Sequence, residues 1–136
     1  MYLLREGDKT LITGRINQAA SPIIRITVYG NKGEVEIDGI LDTGFDGFIC
    51  LPIAVAVPLG LELIDVTDSE LADGTIVQDE LVFAGKVLWD GDVIDADIVL
   101  TRSADTLIGT AMLMNSEVRL NFHTGEVVIE RQRTQP

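Results

Sequence analysis

The chain has 136 residues, 46% of them hydrophobic, which is ample for one compact core and thin for two. Ten Lys and Arg stand against 22 Asp and Glu, a formal charge of −12 that disfavours nucleic acid and anionic membranes as partners, since phosphate binding needs clustered cations. No window approaches the roughly 18 unbroken apolar residues of a membrane-spanning helix. The start Met-Tyr-Leu-Leu-Arg-Glu-Gly-Asp turns charged too early for an export signal, and the single cysteine, Cys50, leaves no internal disulfide to form. The expectation is a soluble, cytoplasmic, single-domain protein spanning residues 1–136, with 1–20 and 131–136 peripheral.

Along the chain, short runs rich in Val, Ile and Thr alternate with Gly, Asn and Asp, which predicts an all-β domain. Residues 23–29 alternate Ile24, Ile26 and Val28 with Arg25 and Thr27; Gly30-Asn31-Lys32-Gly33 then turns the chain into a second strand ending at Ile40-Leu41. Asp42-Thr43-Gly44 follows, then a buried-strand candidate at 48–51. Pro52 and Gly60 bracket a short helix. A strand over 61–66 and another over 76–83 flank the turn Ala72-Asp73-Gly74-Thr75. Strands over 86–89 and 93–100 flank Asp90-Gly91-Asp92, whose Asp-Gly pair tolerates the positive φ of a tight hairpin. Leu107-Ile108-Gly109 opens a helical turn over 110–115, and 118–122 pairs with 127–129 through His123-Thr124-Gly125. An apolar pair running into a glycine-bearing turn thus occurs twice, at 40–44 and at 107–109.

Asp42-Thr43-Gly44 at the end of a strand supplies what a carboxylate catalyst requires. The turn exposes the acid, Gly lets backbones approach, and a hydroxyl neighbour can brace the turn. Peptide hydrolysis by carboxylates needs two of them sharing a proton, one to deprotonate water and one to polarise the scissile carbonyl.

The order of elements around Asp-Thr-Gly, with the second apolar-apolar-Gly turn before a short helix, resembles the retropepsin-like (retroviral-type) aspartic peptidases over about residues 23–129. Leu41-Asp42-Thr43-Gly44-Phe45, Leu51-Pro52 and Leu59-Gly60-Leu61 look like the cellular, prokaryotic branch of that family. The resemblance implies a closed or partly open β-barrel with one or two short helices. It also implies a homodimer in which each subunit gives one Asp, a peptide or protein substrate, and no cofactor or metal. Carried over position by position, Asp42 is the catalytic carboxylate, Thr43 braces the twin loop, and Gly44 contacts the substrate backbone. Asp46, together with the flap tip Ala72, Asp73 and Gly74, contacts substrate. Two positions depart from the family pattern: Phe45 stands where a small residue is usual, and Thr110 stands where retroviral members carry an Arg that supports the dimer and the Asp-bearing loop.

Plainer readings stand beside these. Asp46 serves equally as a solvated turn carboxylate, and Asp73-Gly74 as an ordinary hairpin turn. Asp90, Asp92, Asp95 and Asp97 lack calcium-loop spacing and read as a solvated face. Cys50 and His123 read as a buried thiol and a turn histidine, and Trp89 as hairpin packing. For the whole chain the rivals are a catalytically silent dimerisation or peptide-binding domain of the same fold, and an unrelated small β-barrel that binds a small molecule.

Overall fold

A computed structural model describes residues 11–132. Ten strands, β1 Leu11–Ile16, β2 Pro22–Tyr29, β3 Glu34–Leu41, β4 Ile49–Pro52, β5 Glu62–Glu70, β6 Ile76–Trp89, β7 Asp92–Thr101, β8 Thr106–Ile108, β9 Ser116–Asn121 and β10 Glu126–Arg131, carry almost all the regular structure. Two helices of one turn, α1 Ile53–Ala56 and α2 Thr110–Leu113, complete it, α1 running on into a 3₁₀ turn at Val57–Leu59.

The strands hydrogen-bond in the order β5-β6-β7-β4-β8-β3-β2-β1-β10-β9, and β2 also pairs with β6. That extra pairing, Thr27–Tyr29 against Lys86–Leu88, closes β6-β7-β4-β8-β3-β2 into a six-stranded barrel. The hairpin β5–β6 projects from one side; β1, β10 and β9 extend the sheet from the other. The fold is therefore all-β, as expected from the short β-branched runs.

Period-two alternation sets which side chains fill the barrel. In β2, Ile24, Ile26 and Val28 are buried while Arg25 between them is exposed. They meet Ile49 and Leu51 of β4, Val87 of β6, Ile98 of β7 and Ile108 of β8 in one apolar cluster. Each such side chain, fully removed from water, stabilises the fold by roughly 1.5–3 kcal/mol.

Most turns follow their residues. Asp90 (φ 54°) and Gly91 (φ 81°) supply the two positive φ angles of the β6–β7 turn, and Gly60 (φ 65°) ends the 3₁₀ turn after α1. Three features differ from the sequence-based expectation. Strands expected separately over 76–83 and 86–89 are one strand, β6. Gly85 at its middle is no breaker: a Cβ there would collide with the Ile98 side chain of the paired strand β7, so the glycine marks a close crossing. β5 continues past the expected end to Glu70 by means of two register irregularities, between Leu63 and Asp65 and between Thr67 and Ser69. Finally, Leu11–Ile16, in the stretch expected to be peripheral, is a sheet strand inserted between β10 and β2. Its half-exposed pattern and central Gly14 give no strong strand signal.

Candidate active site

β3 ends at the buried Leu41, and the next residue, Asp42, is half-buried. β3 runs parallel to β8, with Gly39, Ile40 and Leu41 opposite Thr106, Leu107 and Ile108. The two apolar-apolar-Gly segments that echo each other in sequence are thus side by side in space. Their loops are laced together by backbone hydrogen bonds: Asp42 N–H donates to the Ile108 carbonyl (3.0 Å), Gly109 N–H to Phe48 (2.9 Å), Thr110 N–H to Phe45 (2.9 Å) and Ala111 N–H to Gly47 (3.1 Å). The Thr110 hydroxyl lies 3.4 Å from the same Phe45 carbonyl, so at the position where the resembling family carries Arg, Thr110 grips the loop of its own chain.

Within the loop, Phe45 N–H closes a turn onto the Asp42 carbonyl (3.1 Å), and Gly44 N–H donates to Asp42 Oδ1 (2.8 Å). One carboxylate oxygen is held by its own turn; the other accepts no hydrogen bond from the described residues. Thr43 and Gly44 are exposed, and the Thr43 hydroxyl has no hydrogen-bond partner among the described residues of its own chain.

Beside the loop lies a cleft of about 780 Å³, walled by residues 44–48 and Ala111 on one side and by the hairpin β5–β6 on the other. The register sets which hairpin side chains face it: the cross-strand pairs Asp65–Val82 and Thr67–Glu80 line it, and the intervening Val66–Leu81 pair does not. Five carboxylates, those of Asp46, Asp65, Glu70, Glu80 and Asp97, border the cleft, with no Lys or Arg among the described lining residues. Of the substrate-contacting positions named above, Asp46 and Ala72 line the cleft; Asp73 and Gly74 lie outside the lining and build the hairpin tip instead. There Leu71 N–H bonds the Thr75 carbonyl (2.7 Å) and Thr75 N–H bonds Asp73 Oδ1 (2.9 Å), and hydrogen bonding from Thr75 holds the Asp73 carboxyl below its ordinary pKa. The acidic lining contributed by β5 was not apparent in the sequence, because the register irregularities after Leu63 and after Thr67 break the alternation that would assign its side chains to one face.

Other candidate chemistry disperses. Cys50 is buried in β4, and burial first, then the charge of Glu80, pushes its thiol up, away from a reactive thiolate. His123 is exposed in the β9–β10 turn. In the acidic β6–β7 hairpin, Asp95 pairs with Lys86 (2.8 Å) and Asp92 with Arg131 (3.3 Å). Trp89 is buried in the core, as its packing role requires. Among the described residues no group of three or more His, Cys, Asp or Glu is gathered to hold a metal ion, and no helix is long and apolar enough to cross a membrane.

No protein-family profile and no curated protein matches the chain in sequence. Solved structures do match in shape. A retropepsin-like aspartic protease from Rickettsia conorii superposes with a TM-score of 0.57 at 18% identity, covering 96% of this chain and 98% of that one. The protease of EIAV, solved with the inhibitor HBY-793, superposes with a TM-score of 0.51 at 17% identity, covering 71% of this chain and 88% of that one. At such identities the likeness is one of fold, and the fold of this chain is that of the retropepsin-like aspartic proteases.

Proposed function

We propose that the protein is an aspartic endopeptidase that hydrolyses peptide bonds with a water activated between the Asp42 carboxylates of two copies. The observation that carries this reading is the Asp42 loop. A half-buried carboxylate has one oxygen fixed by Gly44 N–H, and its loop is anchored by four backbone bonds to β8–α2 beside an open cleft. One carboxylate cannot be acid and base at once, so the second comes from a twin loop across a two-fold axis. Thr43, exposed and with a hydroxyl that bonds no described residue of its own chain, braces that twin. The hairpin β5–β6 then closes over an extended peptide and excludes water.

The test compares wild type with Asp42→Asn on a diverse peptide library between about pH 4 and 7, where coupled carboxylates commonly titrate. The wild type should cleave, best toward the acidic side, and the variant should not. Cleavage by both would remove Asp42 as catalyst; cleavage by neither, with a dimer intact, would leave a silent peptide-binding module.

The carboxylates bordering the cleft give the substrate a sign. A cleft lined by one charge focuses its field, so neutral or Lys- and Arg-bearing peptides should turn over faster than acidic ones. Peptides of matched length and differing charge measure this, and equal turnover would discard the preference.

A further inference from the structure

The residue after Asp42-Thr43-Gly44 is a phenylalanine, and its ring lies between two glycines. A Cβ on Gly47 would sit 2.6 Å from Phe45 Cζ and 2.7 Å from Cε1, closer than to any other described residue beyond its own chain neighbours. A Cβ on Gly109 would sit 2.7 Å from Phe45 Cδ2 and would also strike the Gly47 carbonyl. The ring is therefore seated on both bare backbones at once, one in the Asp42 loop and one at the start of α2. Phe45 is tied at its backbone as well: its N–H holds the Asp42 carbonyl, and its carbonyl receives Thr110 N–H and lies in reach of the Thr110 hydroxyl. Phe45 is partly buried and forms part of the cleft wall.

We propose that Phe45 is a positioning residue: its ring, seated on Gly47 and Gly109, fixes the turn that aims the Asp42 carboxylate. The inference rests on Asp42 being the reacting group. A phenyl ring has two rotatable bonds and resists compression, so it sets the distance between the two loops more firmly than a small side chain would. With a small residue at 45 the two loops would keep their backbone hydrogen bonds and the Thr110 hydroxyl contact but lose the ring packed between them, and the Asp42 turn would be freer to rock. The glycines at 47 and 109 are the counterpart of the ring, since any Cβ at either would lift it.

The geometry supplies two ways to disturb the ring. Phe45→Ala removes it. Gly47→Ala keeps it but pushes it aside, and Gly47 has no positive φ that would strain the new residue by itself. In the full chain, Phe45→Ala should lower kcat about 100-fold, the loss expected for a misplacement near 1 Å, with KM little changed. The Gly44 amide proton, held by Asp42 Oδ1, should exchange faster with solvent in the same variant. Gly47→Ala should move both readouts in the same direction. Because its Cβ conflicts chiefly with the ring, the double variant should be no worse than Phe45→Ala alone.

A ring that only stabilises the fold predicts something different: a lower melting temperature with kcat and the Gly44 amide unmoved, or a double variant in which the losses add. Either result overturns the proposal. Should Phe45→Ala fail to fold, Gly47→Ala decides through the same two readouts. Should the wild type cleave no peptide, the endopeptidase reading fails by itself, while the Gly44 amide still shows whether the ring positions the carboxylate.

Discussion

Gly74, at the tip of the β5–β6 hairpin, has φ +86° and nothing within 4 Å of where a Cβ would stand. Space is therefore not what requires glycine; the backbone angle is. Gly74→Ala should cost about 1–2 kcal/mol of turn strain with no clash at its Cβ. The tip belongs to the hairpin that walls the cleft, so kcat/KM should drop by a factor of up to roughly 5–30 together with a lowered melting temperature. A lowered melting temperature with unchanged kcat/KM would show that the tip serves the fold and not the cleft. At this scale the sequence was informative wherever one residue type has one physical use. Gly60 and Asp90-Gly91 lie at the turns their chemistry favours, and Asp42-Thr43-Gly44 forms the turn that follows β3. Phe45 was legible only as a departure from pattern, because its meaning lies in Gly47 and in Gly109, far along the chain.

Among the elements, β10 is tied to the β6–β7 turn by one side chain. Arg131 Nη1 donates to the Trp89 carbonyl (3.3 Å) and to Asp92 Oδ2 (3.3 Å), and lies 3.7 Å from Asp90 Oδ2, whose side chain is 3% exposed. Removing a cation from beside a buried carboxylate costs more than breaking a surface pair. Arg131→Ala should destabilise the protein by about 1–3 kcal/mol in urea unfolding, and Arg131→Lys by less, since a charge remains. No change would mean that water replaces the guanidinium without loss. This link crosses between elements that the sequence does not relate. The strands themselves were visible because alternation is local, and the hairpins because Gly and Asp punctuate them. What could not be read were β1, with its weak pattern, and the continuity of β6, where Gly85 imitates a break because it answers to Ile98 on the neighbouring strand.

For the whole molecule, a charge of −12 per chain opposes the pairing of two copies proposed for Asp42. Salt shortens the reach of that repulsion from about 10 Å at 0.1 M to about 3 Å at 1 M. Sedimentation should therefore show tighter association as salt rises, and the preference for Lys-bearing over Glu-bearing peptides should shrink over the same range. Association weakened by salt would point to an interface held by ion pairs. The barrel was foreseeable as a class from the run of short strands. Its closure through Thr27–Tyr29 and Lys86–Leu88 was not, because nothing local in either segment names the other as its partner.

The lacing of the Asp42 loop to β8–α2 also has a meaning in time. Its bonds join residues far apart in the chain; Phe45 and Thr110, for example, are separated by 65 positions. At roughly 5–20 residues per second, a ribosome needs about 3–13 seconds to go from one to the other. Throughout that interval the growing chain carries its Asp-Thr-Gly triplet with only the turn's own two bonds, Phe45 N–H to the Asp42 carbonyl and Gly44 N–H to Asp42 Oδ1, to shape it. The chemistry proposed for Asp42 is therefore withheld from the nascent chain until β8 and α2 have been made.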